Sequence, residues 1–226
     1  MCVRRGVRSQ HPDRMRTRNP QKKGNIVVVA LALNCTLKPS PHQSSTERLA
    51  KEVLTALEEQ GAETGIVRVV DFDVKPGVEA DMGEGDQWPQ LRSRVLDADI
   101  LVFCSPTWVG HMSSVAQRVL ERLDAELSET DAEGRPILAG KVAVTAVLGN
   151  EDGAHKITAD LYQALTDVGF SIPSQGGTYW NGEAMHTTDY LELGETPDAV
   201  ASATQTLARN AVHLAQLLAA KPYPAP

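Results

Sequence analysis

Apolar runs rich in β-branched residues recur along this chain and alternate with segments of helical period. Strand-like runs cover Asn25–Leu33, Gly65–Asp71, Asp99–Cys104, Lys141–Leu148 and, with the faintest pattern, Gly169–Pro173. Ile26-Val-Val-Val-Ala and Ile100-Leu-Val-Phe are apolar at every position and not only at every second one. Such continuity demands burial on both faces, hence a parallel sheet covered by helices. Helical patterns lie near Ser45–Gln60, Trp88–Leu96, Ser113–Leu127 and Lys156–Val168. In the third, Val115, Val119, Leu120, Leu123 and Leu127 share one face and are expected in the core. A last helix is predicted to open with Thr196 as N-cap and Pro197 in its first turn, and to run to about Ala220.

Five strands alternating with five helices predict an α/β fold, a three-layer doubly wound sandwich on a five-stranded parallel sheet of order 2-1-3-4-5. That order places a ligand outside the C-terminal ends of strands one and three, so the loops leaving them must meet. Two connections are long. Val74–Gln87, acidic and carrying Gly77, Gly83 and Gly85, reads as a solvated surface loop. Gly176–Glu195 is rich in aromatics and glycine and exceeds what a strand-to-helix connection needs.

The first loop is Asn34-Cys-Thr-Leu-Lys-Pro-Ser-Pro-His-Gln-Ser-Ser-Thr46. It supplies hydroxyls, lacks Asp and Glu, and runs into a helix. Backbone N–H groups and the positive end of a helix dipole hold anions there, and Ser/Thr hydroxyls add donors. Ser44-Ser-Thr-Glu47 has capping-box spacing. Alone, these residues describe an ordinary capped helix as well as a phosphate site. After strand three comes Cys104-Ser-Pro-Thr-Trp-Val-Gly-His-Met-Ser-Ser114, and after strand four Leu148-Gly-Asn-Glu-Asp-Gly-Ala154. Backbone groups of two such loops can read the polar edge of a flat heteroaromatic ring while apolar groups cover its faces.

Charge changes the picture at one end. The chain of 226 residues carries a formal net charge of −7, yet residues 1–24 hold eight Lys/Arg against Asp13 alone. The rest therefore has 14 basic and 28 acidic residues, which repel nucleic acid from the folded body. Residues 1–24 read as a basic tail outside the fold, compatible with a transit peptide or an over-long start before Met15. No run approaches the roughly 18 apolar residues that span a bilayer. Cys2, Cys35 and Cys104 show no C-x-x-C spacing, which argues for a reducing cytoplasm and against a disulfide framework or a metal centre. Cys104 is expected in the core, and Cys35 towards solvent.

Other motifs fail. Gly134-Arg-Pro-Ile-Leu-Ala-Gly-Lys141 has one residue too many between its glycines for a P-loop and precedes a strand instead of following one. No G-x-G-x-x-G follows strand one. A phosphoacceptor receiver needs acidic residues where this chain has Leu33-Asn34 and Cys104-Ser105. His42 and His111 lie in the two key loops and are expected to be solvated there.

The loop Thr36–Thr46, the segment Ser105-Pro-Thr-Trp-Val-Gly110 and Gly149-Asn-Glu-Asp-Gly153 resemble the NADPH-dependent FMN reductase and flavodoxin-like quinone reductase superfamily. Thr178-Tyr-Trp-Asn-Gly-Glu-Ala-Met185 is similar to its late loop near the flavin. The resemblance covers about Asn25–Ala220 and implies a flavodoxin-like FMN-binding domain over residues 25–221. It implies non-covalent FMN, with Thr36, Ser44, Ser45 and Thr46 on the phosphate and Lys38 adding charge. Ser105, Pro106, Thr107, Trp108, Val109 and Gly110 would follow the ribityl chain and ring, and Gly149, Asn150 and Gly153 the pyrimidine end. Trp180, Tyr179 and His186 would form the far wall. NAD(P)H would be the donor, and a quinone, flavin or other small molecule the acceptor. A homodimer or homotetramer and a cytoplasmic location go with this reading. An electron carrier of flavodoxin type and a flavin-binding sensor are the alternatives. The cysteine motif of cluster-bearing relatives is missing at Val74-Lys-Pro-Gly-Val78.

Overall fold

Strand β1 (Val29–Asn34) lies inside a parallel sheet, between β2 (Glu63–Arg68) and β3 (Ile100–Trp108). In this computed structural model a two-residue strand, β4 (His111–Met112), folds back antiparallel on β3, while β5 (Val142–Leu148) and β6 (Gly177–Trp180) extend the sheet on β3's far side. The structure describes residues 27–182 and 184–226. The basic segment 1–24 and the start of the first predicted strand lie outside the described residues. The parallel order, β2-β1-β3-β5-β6, is the predicted 2-1-3-4-5 once the short β4 is set aside.

Among the described residues five α-helices cover the sheet: α1 (Ser45–Glu59), α2 (Trp88–Asp97), α3 (Ser114–Leu123), α4 (Ala154–Asp167) and α5 (Asp198–Ala220). Alternation within the apolar strands feeds two cores. Ala30, Ala32, Val102, Val144 and Ala146 face α1 and α5, and the alanines let those helices sit close. Leu31, Leu33, Leu101, Phe103 and Val147 face α2, α3 and α4. Both faces are buried, as continuous apolar runs require.

Three expectations need correction. Gly169–Pro173 is not the fifth strand, because only Ser171 makes a lone bridge, to Val142. Pro173 has no N–H for a ladder, the chain swings out through Gln175 (φ +54°), and pairing with β5 resumes at Gly177. Leu127 lies in a 3-10 turn after α3 and is exposed. Thr196 does not cap α5; its hydroxyl donates to Glu52 Oε1 at 2.8 Å, and Pro197 holds the cap position.

Val74–Gln87 is the surface loop expected, exposed at Pro76, Val78, Glu79 and 81–85, but it is tied down from inside. It wraps the buried Arg122 guanidinium, which donates to the carbonyls of Lys75 (3.0 Å) and Glu79 (2.7 and 3.0 Å) and to the Asp86 carboxylate (2.8 Å). Burial works against ionisation of Asp86. Arg122 and the amides of Met82, Trp88 and Lys75 outweigh it and hold this carboxyl well below the usual carboxylate range.

Candidate functional site

The site begins with a step in the sheet. β1 ends where Asn34 pairs with Cys104, but β3 continues to Trp108, paired with β5 through Pro106. Pro106 is tolerated in a strand here because β3 has become an edge on the β1 side.

From the end of β1, Asn34 Oδ1 accepts the Thr36 N–H (3.1 Å), Thr36 Oγ1 accepts the Lys38 N–H (3.3 Å), and Ser44 Oγ caps α1 by accepting the Glu47 N–H (3.2 Å). The hydroxyl protons of Thr36 and Ser44 are therefore left to donate. The amides of Ser45 and Thr46, in the first turn of α1, have no partner within the helix. Only half the capping box forms, since the Glu47 carboxylate binds Lys51 and Arg68 instead. Arg68 also donates to the carbonyls of Lys38 (3.2 Å) and His42 (2.8 Å), and Asp71 accepts the amide and hydroxyl of Ser40 (2.8 and 2.6 Å). The loop is pinned from the β2 side.

The first loop contains no acid, yet one reaches it. Ser45 Oγ donates to Asp189, so its proton is committed. Asp189 opens a 3-10 turn, Tyr190–Glu192, held down by buried Tyr190. The Tyr190 ring lies 4.8 Å from the Arg48 guanidinium and 5.2 Å from Trp180, and its hydroxyl donates to Glu52 at 2.6 Å. Burial, then the Glu52 carboxylate, pushes this phenol far above its ordinary pKa. Asp189 is thus fixed by packing more than 140 positions away in sequence from Ser45.

The second loop is a hairpin. Trp108 pairs with His111 across the two-residue turn Val109-Gly110, with φ of +52° and +72°. Positive φ at both positions makes the type I′ turn that suits twisted strands. Its base is stitched to the first loop: Cys35 N–H donates to Cys104 O (3.0 Å), and Ser113 Oγ donates to Cys35 O (2.6 Å). Ser105 Oγ accepts the Ser113 N–H at 3.0 Å. Cys35 is fully buried, contrary to expectation, because this stitch covers it. Burial pushes the Cys35 and Cys104 thiols up, so neither is a thiolate.

The third loop packs against the hairpin through its glycines. A Cβ on Gly149 would stand 2.8 Å from Thr107 Cβ, and one on Gly153 (φ +141°) 2.8 Å from Gly110 Cα. Glu151 Oε1 accepts the Val109 N–H at 2.9 Å, and Asn150 O accepts the Met185 N–H at 2.9 Å.

These loops open on one cleft of about 140 Å³. Of the predicted residues, Thr36, Lys38, Ser44, Ser45 and Thr46 line one side; Pro106, Thr107, Trp108, Gly149 and Asn150 line the other. Ser105, Val109, Gly110 and Gly153 do not line it but shape the hairpin behind it. Trp180 is a wall, as expected. Tyr179 instead sets its ring edge-on to His155, and His186 is not among the lining residues. Glu151, Asp189 and Tyr190 were missed. Glu151 sits inside a recognised loop, whereas Asp189 and Tyr190 carry no local signal. A larger trough of about 620 Å³, which His42 lines, follows the outer face of α1. Its charges pair among themselves, Glu47 with Lys51 and Arg68, and Arg48 with Glu52. The smaller cleft is where the loops converge.

Residues 30–185 match the family described as NADPH-dependent FMN reductase. This chain belongs to that family. It is accordingly an oxidoreductase of the class that uses FMN and NAD(P)H. The 8-demethyl-8-aminoriboflavin-5'-phosphate synthase of Streptomyces davaonensis is 32% identical over 209 residues, 88% of this chain and 81% of that protein. A protein named divalent metal cation transporter MntH in Mycobacterium bovis is 38% identical over 198 residues, 84% of this chain; the chain spans only 29% of that relative's length. Among solved structures, RosB with bound intermediate OHC-RP (8-demethyl-8-formylriboflavin-5'-phosphate) superposes with a TM-score of 0.81 at 31% identity, over 87% of this chain and 82% of that one. A flavone reductase, TM-score 0.61 at 15% identity over 87% and 66%, shares the fold. Among the described residues no helix is long and apolar enough to cross a membrane.

The donor set fits a phosphorylated flavin. The Thr36 and Ser44 hydroxyls, free to donate, and the first-turn amides of Ser45 and Thr46 belong to residues lining the same side of the cleft, with Lys38 beside them. In the cleft wall, Thr107 Oγ1 is buried with no hydrogen-bond partner within the protein, and a ligand's polar group can satisfy it.

Proposed function

We propose that this chain is an NAD(P)H-dependent reductase that holds FMN non-covalently in the cleft and passes electrons to a quinone, a free flavin or a similar small acceptor. The observation that carries this reading is the convergence of the turns beginning at Thr36 and Pro106 on one cleft at the switch point of the sheet. Bound FMN supplies the redox centre that takes hydride from the nicotinamide and hands electrons on. The protein binds and orients. Thr36 and Ser44 hydroxyls with the Ser45 and Thr46 amides hold the phosphate, and Lys38 on the rim adds a positive charge. Pro106, Thr107 and Trp108 border the ring on one edge, Gly149 and Asn150 on the next. Trp180 and Tyr190 close the floor against water.

The test is the absorbance spectrum of the purified protein, followed by denaturation to identify the released chromophore. A colourless protein that gains no flavin signal when titrated with FMN overturns the reading. Steady-state NADPH oxidation with a quinone separates a reductase from an electron carrier, which shows no direct turnover. A cytoplasmic location accords with the two buried free thiols. A homodimer or homotetramer accords with the exposed Val109 and Met185, and sedimentation at several concentrations checks it.

A second reading rests on the relatives. The synthase is named for a riboflavin-5'-phosphate derivative and RosB is described with one bound as an intermediate, so the cleft would take FMN as a substrate and release it altered. Mass analysis of flavin recovered after turnover decides: unchanged FMN supports the cofactor role, altered flavin the substrate role.

A further inference from the structure

Val109 is a β-branched residue at φ +52°, a conformation that costs such a side chain energy unless its surroundings impose it. Type I′ turns favour Asn-Gly or Gly-Gly, not Val-Gly. Local sequence therefore does not account for the hairpin tip. Two contacts from the third loop do. Gly153 packs so closely under Gly110 that a Cβ there would stand 2.8 Å from Gly110 Cα. Glu151 Oε1 takes the Val109 N–H at 2.9 Å from 42 positions away in sequence. The half-buried Glu151 side chain is at once a cleft wall and the acceptor that fixes the Val109 peptide. The peptides just before that turn, Pro106 to Trp108, line the cleft.

We propose that Glu151 is a positioning residue for the flavin site: its carboxylate clamps the strained Val109-Gly110 turn and so holds the Thr107–Trp108 backbone in the geometry that receives the ring. The role in binding rests on the FMN reading above; the clamp itself does not. Glu151 acts as a hydrogen-bond acceptor, so Gln at this position retains the function and Ala loses it. A turn that favours positive φ by itself needs no clamp, so Val109→Asn, which creates the preferred Asn-Gly pair, bypasses it.

The experiment compares wild type, Glu151→Ala, Glu151→Gln, Val109→Asn and Val109→Asn/Glu151→Ala as full chains. Amide hydrogen exchange over Thr107–Met112 is read first, in flavin-free protein. Glu151→Ala exchanges about tenfold faster there, and Glu151→Gln and the double variant stay near wild type. FMN affinity, from quenching of flavin fluorescence, follows the same order: about tenfold weaker in Glu151→Ala, within about threefold for Glu151→Gln, and a smaller loss on adding Glu151→Ala to Val109→Asn than to wild type. Unchanged exchange in Glu151→Ala overturns the clamp. Equal losses in Glu151→Ala and Glu151→Gln overturn it too, because charge and not hydrogen bonding then matters. If wild type binds no FMN, the flavin reading fails while the exchange data still decide the clamp.

Discussion

Thr36 and Ser45 look alike in the sequence, both small hydroxyls in one loop, and the structure sets them apart. The Thr36 hydroxyl accepts from Lys38 and keeps its proton to give, whereas Ser45 has given its proton to Asp189. A phosphate dianion only accepts, so the two residues have different worth. Thr36→Val is expected to weaken FMN binding about tenfold and Ser45→Ala by no more than about twofold, measured by fluorescence titration. Gly153→Ala combines a disfavoured φ with a Cβ driven at the Gly110 backbone, which cannot yield as a side chain would. It should destabilise the fold by about 2 kcal/mol in a denaturant titration and loosen FMN as well. Residue types in this site were legible because anion binding draws on few of them. Their hydrogen-bond polarity was not, since Asp189 is brought to Ser45 by the packing of Tyr190 and Arg48, which no local window contains.

At the scale of elements, continuous apolar runs announced β1, β3 and β5, helical period announced α1 to α4 and start signals announced α5, with ends moved by a few residues. What failed was marked by weak pattern or by ambiguity between turn and element. The edge strand β6 is only four residues long and starts at a glycine that crowds Tyr162 and Thr145, so it reads as loop. The acidic connection 74–87 is the surface loop its composition indicates, but its order was not legible because its organising partner, Arg122, lies on a helix more than 35 positions away from Asp86. That arrangement has a measurable cost when broken. Arg122→Met leaves Asp86 buried without its cation and should lose about 3–5 kcal/mol of stability, much of it recovered in Arg122→Met/Asp86→Leu. Because the folded pKa of Asp86 lies below its unfolded value of about 3.9, its contribution is fully present above that pH and is lost on further acidification. Wild-type stability should therefore fall below about pH 4, and Arg122→Met should flatten that limb in pH-dependent urea melts.

For the molecule as a whole, two cores on opposite faces of one sheet carry the stability, while the site occupies the rim and meets the first core at Leu148, Trp180 and Tyr190. Stability and binding should then separate. Leu207→Ala, in the fully buried face of α5, is expected to cost about 3 kcal/mol and lower the Tm by roughly 6–12 °C. FMN affinity of the folded fraction should remain within about twofold of wild type, and a parallel loss would show that α5 packing reaches the cleft. The step between β1 and β3 sets the dimensions of that rim. Beyond the Asn34–Cys104 pair, Ser105 to Trp108 project past β1 as a ledge, backed by β5 and then β4 and open on the β1 side. At about 3.3 Å per residue it stands roughly 13 Å high, fixed by strand register and not by any side chain. Point substitutions can repaint that ledge but not shorten it; only a deletion within it would change how long a planar molecule the protein can back.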